Sequence, residues 1–226
     1  MESEAEVRAA VRTYKRRGSR ITPGQAGARD RLWDAYGLTV GCEPLDLPTL
    51  FGREAPVVLE IGFGMGETTA AMAEAQPDLD LLAVDVHAPG IGALLRLLEQ
   101  RALTNVRVAD GDAITLMAEM LPRASLHEVR VFFPDPWPKR RHWKRRLASN
   151  GFADLVAETL EPGGLLHVAT DWPPYADQVR RVLTEHPDFE RTDRVPWRPR
   201  TRFEETGLAA GRSSYDVVSR RTGNLG

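Results

Sequence analysis

The pattern of apolar and polar positions changes its period repeatedly between residues 56 and 220. Short runs rich in β-branched residues predict strands, and the stretches between them carry apolar residues at helical spacing. This alternation is typical of βαβ units, in which the strands are parallel and helices cover the sheet. The sequence therefore predicts an α/β fold with a doubly wound, mostly parallel, seven-stranded sheet.

The predicted elements follow one another closely along this part of the chain. The strands are expected at residues 57–61, 81–86, 106–109, 129–133, 165–170, 189–192 and 215–219. The helices are expected at residues 67–75, 92–101, 114–120, 152–160 and 175–185, the last of them stopped by Pro187.

The N-terminal segment has a different character. Residues 1–30 lack a clear apolar stripe before Gly18 and are rich in glycine and arginine after it. We expect a mobile or docking arm there. The predicted division is an N-terminal basic arm and docking segment at residues 1–50, followed by the main domain at residues 51–226.

The composition is that of an ordinary soluble globular chain, with 42% hydrophobic and 27% charged residues. No stretch approaches 18 uncharged apolar residues, so we expect no membrane association. The single cysteine, Cys42, excludes a disulfide framework and any multi-cysteine metal site, and the five histidines show no metal-ligand spacing. We expect a cytoplasmic protein without a bound metal, and the sequence indicates no oligomeric state.

The net charge of −2 conceals an uneven distribution. Residues 56–135 hold five basic and twelve acidic side chains, whereas residues 136–226 hold sixteen basic and twelve acidic ones. Two basic clusters contain no acid, namely Arg8, Arg12, Lys15, Arg16, Arg17 and Arg20, and Lys139, Arg140, Arg141, Lys144, Arg145 and Arg146. Such clusters favour a polyanionic partner, although solvated basic faces are also common.

A glycine-rich turn follows the first predicted strand. Gly62, Gly64 and Gly66 occupy every second position, which allows a tight backbone turn and the close approach of a flat ligand. This spacing is one residue shorter than the dinucleotide-binding fingerprint. A nucleoside that carries a cationic sulfonium and no phosphate suits this turn better than a pyrophosphate does, so S-adenosylmethionine is favoured over NAD.

Five acids lie at the carboxyl ends of five successive predicted strands. They are Glu60, Asp85, Asp112, Asp135 and Asp171. Because the carboxyl ends of parallel strands form the binding crevice of an open α/β sheet, these acids are expected to meet at one edge. Each acid alone has a simpler interpretation as a helix N-cap, which suits Asp112 well.

The segment after the fourth of these strands combines an acid, aromatic rings and cations. Prolines on both sides stiffen the backbone at Asp135, and Trp137 offers a stacking face for a base. Interleaved aromatic and cationic residues are typical of nucleic-acid binding. The alternative is an ordinary basic surface loop with a core tryptophan.

These motifs together resemble the tRNA (guanine-N7-)-methyltransferases, from residue 12 to about residue 220. The resemblance rests on residues 20–25 (RITPGQ), 60–66 (EIGFGMG), 87–90 (HAPG), 134–139 (PDPWPK), 170–172 (TDW) and 201–204 (TRFE). It implies a class I, Rossmann-like methyltransferase fold, S-adenosyl-L-methionine as cofactor and tRNA as partner.

The resemblance also implies roles for individual residues. Positions matching Glu60, Asp85, Asp112 and Asp135 contact the cofactor, and Asp135 matches the active-site residue. The family commonly has the longer Glu where this chain has Asp85. Positions that match substrate contacts are Lys139, Asp171, Thr201, Arg202, Phe203 and Glu204. We expect Arg140, Arg141, Lys144, Arg145 and Arg146 to bind RNA.

Three other functions remain open on sequence grounds. The first is methylation of an exocyclic base amine, because Pro134-Asp135-Pro136-Trp137 is similar to the Asp-Pro-Pro-aromatic motif of amino-methyltransferases, although the second proline is missing. The second is an NAD-dependent oxidoreductase, which the glycine spacing disfavours. The third is a non-catalytic RNA-binding module, which the acids disfavour because they repel RNA unless a cation occupies the site.

Overall fold

A twisted sheet of eight strands organises residues 20–223, the part of the chain that the computed structural model describes. The strands are β1 (Gly37–Thr39), β2 (Val57–Ile61), β3 (Asp80–Asp85), β4 (Val106–Asp110), β5 (Leu126–Phe132), β6 (Leu160–Thr170), β7 (Phe189–Arg191) and β8 (Tyr215–Arg221). Their spatial order is β1-β4-β3-β2-β5-β6-β8-β7.

Strands β1 to β6 pair with one another in parallel, whereas β8 pairs antiparallel with both β6 and β7. From β2 the chain proceeds through β3 and β4 towards one edge, and then through β5 and β6 towards the other. The strand order therefore reverses between β2 and β5. In open α/β sheets the crevice at the carboxyl ends of the strands beside such a reversal binds ligands.

Eight helices accompany these strands within the described residues. They are α1 (Pro23–Tyr36), α2 (Leu47–Phe51), α3 (Glu67–Ala75), α4 (Ala88–Arg101), α5 (Ala113–Thr115), α6 (Asn150–Thr159), α7 (Pro173–Glu185) and α8 (Arg202–Ala209). Helix α5 continues as one π-helical turn, and a short 3-10 helix spans Arg140–Arg145. None of the described helices is both long and apolar enough to cross a membrane.

Two apolar cores lie on opposite faces of the sheet. Consecutive residues of the central strands point to opposite faces, so Leu81 belongs to one core and Leu82 to the other. Helices α1, α3 and α4 cover the first core, and α6 and α7 contribute to the second. This arrangement confirms the doubly wound fold class, with one strand more than the seven predicted.

The additional strand, β1, is too short and too mixed in polarity to be recognised from its sequence. It consists of Gly-Leu-Thr and pairs in parallel with β4 at the sheet edge. Gly37 is required because a Cβ there would lie 2.2 Å from the Trp33 ring. Tertiary contact, and not local propensity, therefore produces this strand.

Helix α1 and β1, which belong to the predicted basic arm and docking segment, pack against the rest of the fold. Thr22 begins α1 through a capping box with Gln25, and Gln25 packs so closely on α4 that a Cβ at Gly92 would meet its carbonyl oxygen at 2.5 Å. Ala28 is fully buried, and Arg29 pairs with Asp110 at 2.7 Å. Helix α1 and β1 are thus built into the sheet, with no break at residue 50. Residues 1–19, which hold most of the N-terminal basic cluster, lie outside the described residues.

Candidate active site

A cavity of about 370 Å³ opens at the carboxyl ends of β2 to β5. Its lining includes five predicted site residues, namely Gly62, Gly64, Asp85, Asp112 and Asp135. It also includes Met65, Val86, His87, Phe133 and Leu147, to which the sequence analysis assigned no site role. Met65 and His87 belong to motifs that carry the family resemblance, whereas Val86 and Leu147 only neighbour a predicted residue in the chain.

The glycine turn approaches this cavity with a left-handed backbone. The φ angles of Gly62, Gly64 and Gly66 are 79°, 61° and 84°, values that L side chains rarely adopt. A Cβ added at Gly62 or Gly64 would meet open space, so the turn leaves room for a ligand. Gly66 does not line the cavity and instead begins α3 as its N-cap.

The start of α4 lies directly against this turn. A Cβ on Gly90 would lie 1.9 Å from the carbonyl oxygen of Gly64, an impossible contact. Because Gly90 has no side chain, α4 can support the glycine turn from the side. The motif at residues 87–90 therefore has a clear packing role.

Asp85 links the glycine turn after β2 to the segment that follows β3. Its Oδ2 accepts a hydrogen bond from the Gly64 backbone at 3.1 Å, and its Oδ1 accepts from the backbones of Val86 and His87 at 2.7 and 3.0 Å. Burial raises the pKa of this carboxyl, against the lowering effect of those hydrogen bonds. The shorter acid therefore organises the turn, in addition to facing the cavity.

The remaining acids divide into two kinds. Asp112 caps α5, since its Oδ2 accepts from the Thr115 backbone at 3.1 Å, and it still lines the cavity. Glu60 lies beneath the turn, is only 3% exposed and does not line the cavity. Burial raises the pKa of Glu60 to about 7.

The loop after β5 begins with two unusual backbone conformations. Phe133 and Trp137 have φ angles of 50° and 41°, which are rare for residues other than glycine. The Phe133 amide donates to the carbonyl of Ala169 on β6 at 2.7 Å. This geometry brings the Pro134–Asp135 segment to the cavity wall, as the sequence predicted.

The two tryptophans of this loop differ in exposure. Trp137, the predicted stacking face, is half-buried, with the Arg145 guanidinium 5.1 Å from its ring centroid and the His142 ring at 5.6 Å. Trp143 is 44% exposed and lies beside the Arg140 guanidinium. It is therefore the more accessible of the two rings.

Arg146 was predicted to bind RNA with its neighbours, but it is buried. It is 4% exposed and donates hydrogen bonds to the Pro136 carbonyl at 2.8 Å and to Gln178 at 2.5 Å. Its guanidinium also stacks on Trp143 and Tyr175. Arg146 thus holds the loop onto α7, and the exposed cations are Lys139, Arg140, Arg141, Lys144 and Arg145.

The other predicted substrate contacts do not line the cavity, although Phe203 contacts Phe133, which does. Asp171 follows β6 and pairs with Arg212 at 2.7 Å. Thr201 and Glu204 form a capping box that begins α8. Arg202 and Phe203 are exposed there, and the Phe203 ring lies 5.6 Å from the ring of Phe133. Sequence reasoning missed the two arginines that anchor this segment, Arg198 and Arg212, because the identity of their partners depends on the fold.

The cavity suits a cationic nucleoside. Its wall presents three carboxylates, Asp85, Asp112 and Asp135, next to glycine backbone and apolar side chains. Carboxylates accept hydrogen bonds from ribose hydroxyls and attract a sulfonium. Among the described residues no cluster of His, Cys, Asp or Glu has the geometry to hold a metal ion.

Comparison with known proteins shows the family to which this chain belongs. The methyltransferase family model Methyltransf_4 matches residues 54–217. A tRNA (guanine-N(7)-)-methyltransferase of Streptomyces avermitilis is 56% identical, and the match covers 93% of this chain and 75% of the relative. The chain belongs to the tRNA (guanine-N7-)-methyltransferase family. A member from Nitrosospira multiformis is 46% identical, with 93% of this chain and 94% of the relative covered.

Solved structures with much lower identity share the fold. TrmN from Thermus thermophilus has a TM-score of 0.55 and 18% identity, over 87% of this chain and 48% of that one. The aminoglycoside resistance methyltransferase NpmB1 has a TM-score of 0.51 and 15% identity, over 94% of this chain and 98% of that one. Family membership favours a methyltransferase over the oxidoreductase and the non-catalytic module considered above.

Proposed function

We propose that this protein transfers a methyl group from S-adenosyl-L-methionine to N7 of guanosine 46 in the variable loop of tRNA. The observation that carries the proposal is the shared position of a glycine turn, three carboxylates and an exposed basic loop at one edge of the sheet. The names of the relatives support both the substrate and the atom.

The cofactor fits the cavity through a small set of residues. The backbone at Gly62 and Gly64 allows its close approach, and Asp85 and Asp112 would accept hydrogen bonds from its hydroxyl groups. When bound, it supplies an electrophilic methyl group on a positively charged sulfur.

Methyl transfer to guanine N7 requires mainly that the acceptor nitrogen, the methyl carbon and the sulfur are aligned. Guanine N7 has a free lone pair and carries no proton in the neutral base, so methyl transfer to it needs no general base. Correct positioning can lower such a barrier by roughly 7 to 11 kcal/mol. We propose that Asp135 accepts hydrogen bonds from guanine N–H groups or balances the positive charge that develops on the base.

The decisive assay measures transfer of labelled methyl to tRNA transcripts with and without the variable-loop guanosine. Only the first transcript should be labelled, and borohydride–aniline treatment should cleave it at that position, since only N7-methylguanosine is sensitive. Label without cleavage would indicate methylation of an exocyclic amine instead. Under the same conditions Asp135→Asn should retain some activity, and its complete inactivity with intact tRNA binding would count against the hydrogen-bonding role.

The proposed RNA surface is the exposed part of the basic loop. Replacing Arg140, Arg141 and Arg145 with alanine should weaken tRNA binding. The slope of the logarithm of the binding constant against the logarithm of the salt concentration should become shallower by about 0.7 to 0.9 for each phosphate contact that is lost. Arg123→Ala is the control, because Arg123 is exposed just before the amino end of β5. The basic loop follows the carboxyl end of the same strand. Equal salt slopes in the triple variant and the unmodified protein would refute the contact.

A further inference from the structure

A buried arginine links the start of α8 to β8 and to the end of β5. Arg198 lies in the irregular stretch between β7 and α8, yet only 8% of its side chain is exposed. Its guanidinium donates to both carboxylate oxygens of Glu204, at 2.6 and 3.1 Å, and to both of Asp216, at 2.8 and 3.0 Å. One side chain thus joins the first turn of α8 to β8.

The same guanidinium also packs against the end of β5. It lies 5.4 Å from the Phe132 ring centroid and 5.6 Å from that of Phe133. Phe133 lines the cavity and is followed two residues later by Asp135, and its ring also contacts Phe203. Arg198 therefore touches the start of the Asp135 loop and holds the residue next to Phe203.

The partners of Arg198 are themselves held in place. Glu204 accepts a hydrogen bond from the Ser214 hydroxyl at 2.6 Å, and Asp216 contacts His167 Nε2 at 2.6 Å. His167 is fully buried on β6, with Glu128 on its other side at 3.8 Å. A buried ionic network contributes little net stability after desolvation, whereas it can fix geometry well.

We propose that Arg198 is a positioning residue for methyl transfer, setting the distance between the Thr201–Glu204 segment and the Asp135 loop. The inference rests on the proposed function, in which Asp135 contacts the target guanine, and on the substrate contact that the family resemblance implies for the Thr201–Glu204 segment. Because the guanidinium forms four hydrogen bonds in one plane, a lysine cannot replace it.

The first test compares Arg198→Lys with Arg220→Lys. Arg220 also pairs with a carboxylate, Glu190, but both side chains are half-exposed on the outer strands. Turnover is expressed per molecule that binds the methyl donor, which removes the effect of unfolded protein. Arg198→Lys should lower kcat roughly 100-fold with donor affinity and the KM for tRNA changed less than about threefold, since a displacement of about 1 Å costs this much in rate. Arg220→Lys should behave as the unmodified protein does.

The second test asks whether Arg198 acts through Glu204. If it does, Arg198→Lys combined with Glu204→Gln should lose no more activity than the more damaging single variant. Three results would each overturn the inference. They are a double variant whose loss of activity is the product of the two single losses, an unchanged kcat in Arg198→Lys, and a raised KM with no change in kcat. Should Arg198→Lys not fold, Asp216→Asn takes its place and must lower kcat at least about tenfold. If the unmodified protein lacks N7 transfer altogether, the proposed function fails instead.

Discussion

Glu60 is a carboxylic acid buried among the strands directly beneath the glycine turn. Burial raises its pKa to about 7, against the lowering effects of the Thr69 hydroxyl and the Arg130 guanidinium. The folded protein therefore binds this proton more tightly than the unfolded chain does. Ionising Glu60 costs folding free energy, a cost tolerated beside a site that would hold a cationic ligand.

This cost predicts a pH dependence of stability. Between pH 4.5, the ordinary value, and about pH 7, the Glu60 contribution to the free energy of unfolding should fall by roughly 3 kcal/mol as pH rises. Glu60→Gln should remove that contribution, so its urea-unfolding free energy should change less across this range. Glu119→Gln, at an exposed acid, is the control. A Glu60→Gln profile parallel to that of the unmodified protein would show that the buried acid does not titrate there.

At the scale of elements, the cavity depends on how closely α4 approaches the turn between β2 and α3. The closeness is possible because Gly90 faces the Gly64 carbonyl, and Asp85 fixes the opposite side of the same turn. The turn is thus held from both sides, and the Gly62 amide also donates to the Val84 carbonyl at 2.9 Å. Any side chain at Gly90 has to separate the two elements.

Gly90→Ala should therefore damage the cofactor site. The added methyl group should lower stability by roughly 1 to 3 kcal/mol and weaken donor binding at least about tenfold, through displacement of the turn. Gly151→Ala is the matched control, because Gly151 is also in the first turn of a helix and its Cβ would meet nothing within 4 Å. That variant should be as stable or slightly more so. Calorimetric donor titration measures both variants, and equal affinities would contradict the packing argument.

The accuracy of sequence prediction followed the strength of the local pattern. Periodicity gave the bounds of β2 and α3, where apolar spacing is regular. Helix α1 was missed because its buried residues are Gln25 and Ala28, which form no apolar stripe. Its position depends on the fit to Gly92 on α4, which no local pattern reveals.

The candidate site was predictable to a similar degree. Five acids at the carboxyl ends of parallel strands were expected to meet at one edge. Asp85, Asp112 and Asp135 line the cavity, whereas Glu60 is buried beneath the turn and Asp171 pairs with Arg212. The roles of cations were not predictable in this way. Arg141 and Arg146 are equivalent in a basic sequence run, but one is exposed and the other is buried against α7.

At the scale of the whole molecule, the N-terminal segment completes both a sheet edge and a helical layer. Helix α1 covers the core beside α4, and β1 extends the sheet at β4. The Arg29–Asp110 pair joins this segment to the carboxyl end of β4, next to the cavity. The segment is therefore part of the domain that carries the site.

Truncation separates this structural part from the basic cluster that precedes it. Removal of residues 1–39 should lower the melting temperature by about 10 °C or more, equivalent to roughly 3 to 5 kcal/mol for a chain of this size. Removal of residues 1–19, which takes away five cations, should instead reduce the salt dependence of tRNA binding. Thermal unfolding and salt titration distinguish the two effects. Equal melting temperatures in all three proteins would contradict the structural role of α1 and β1.

The pairing of β1 with β4 also has a consequence during synthesis. Helix α1 and β1 leave the ribosome before α4 and β4, on which they pack and which end about 65 to 70 residues later. Until then the nascent chain holds an unpaired edge and an uncovered helix face. Docking of the N-terminus is therefore a late, long-range step of folding, and translation pauses before residue 110 would prolong exposure to chaperones and proteases.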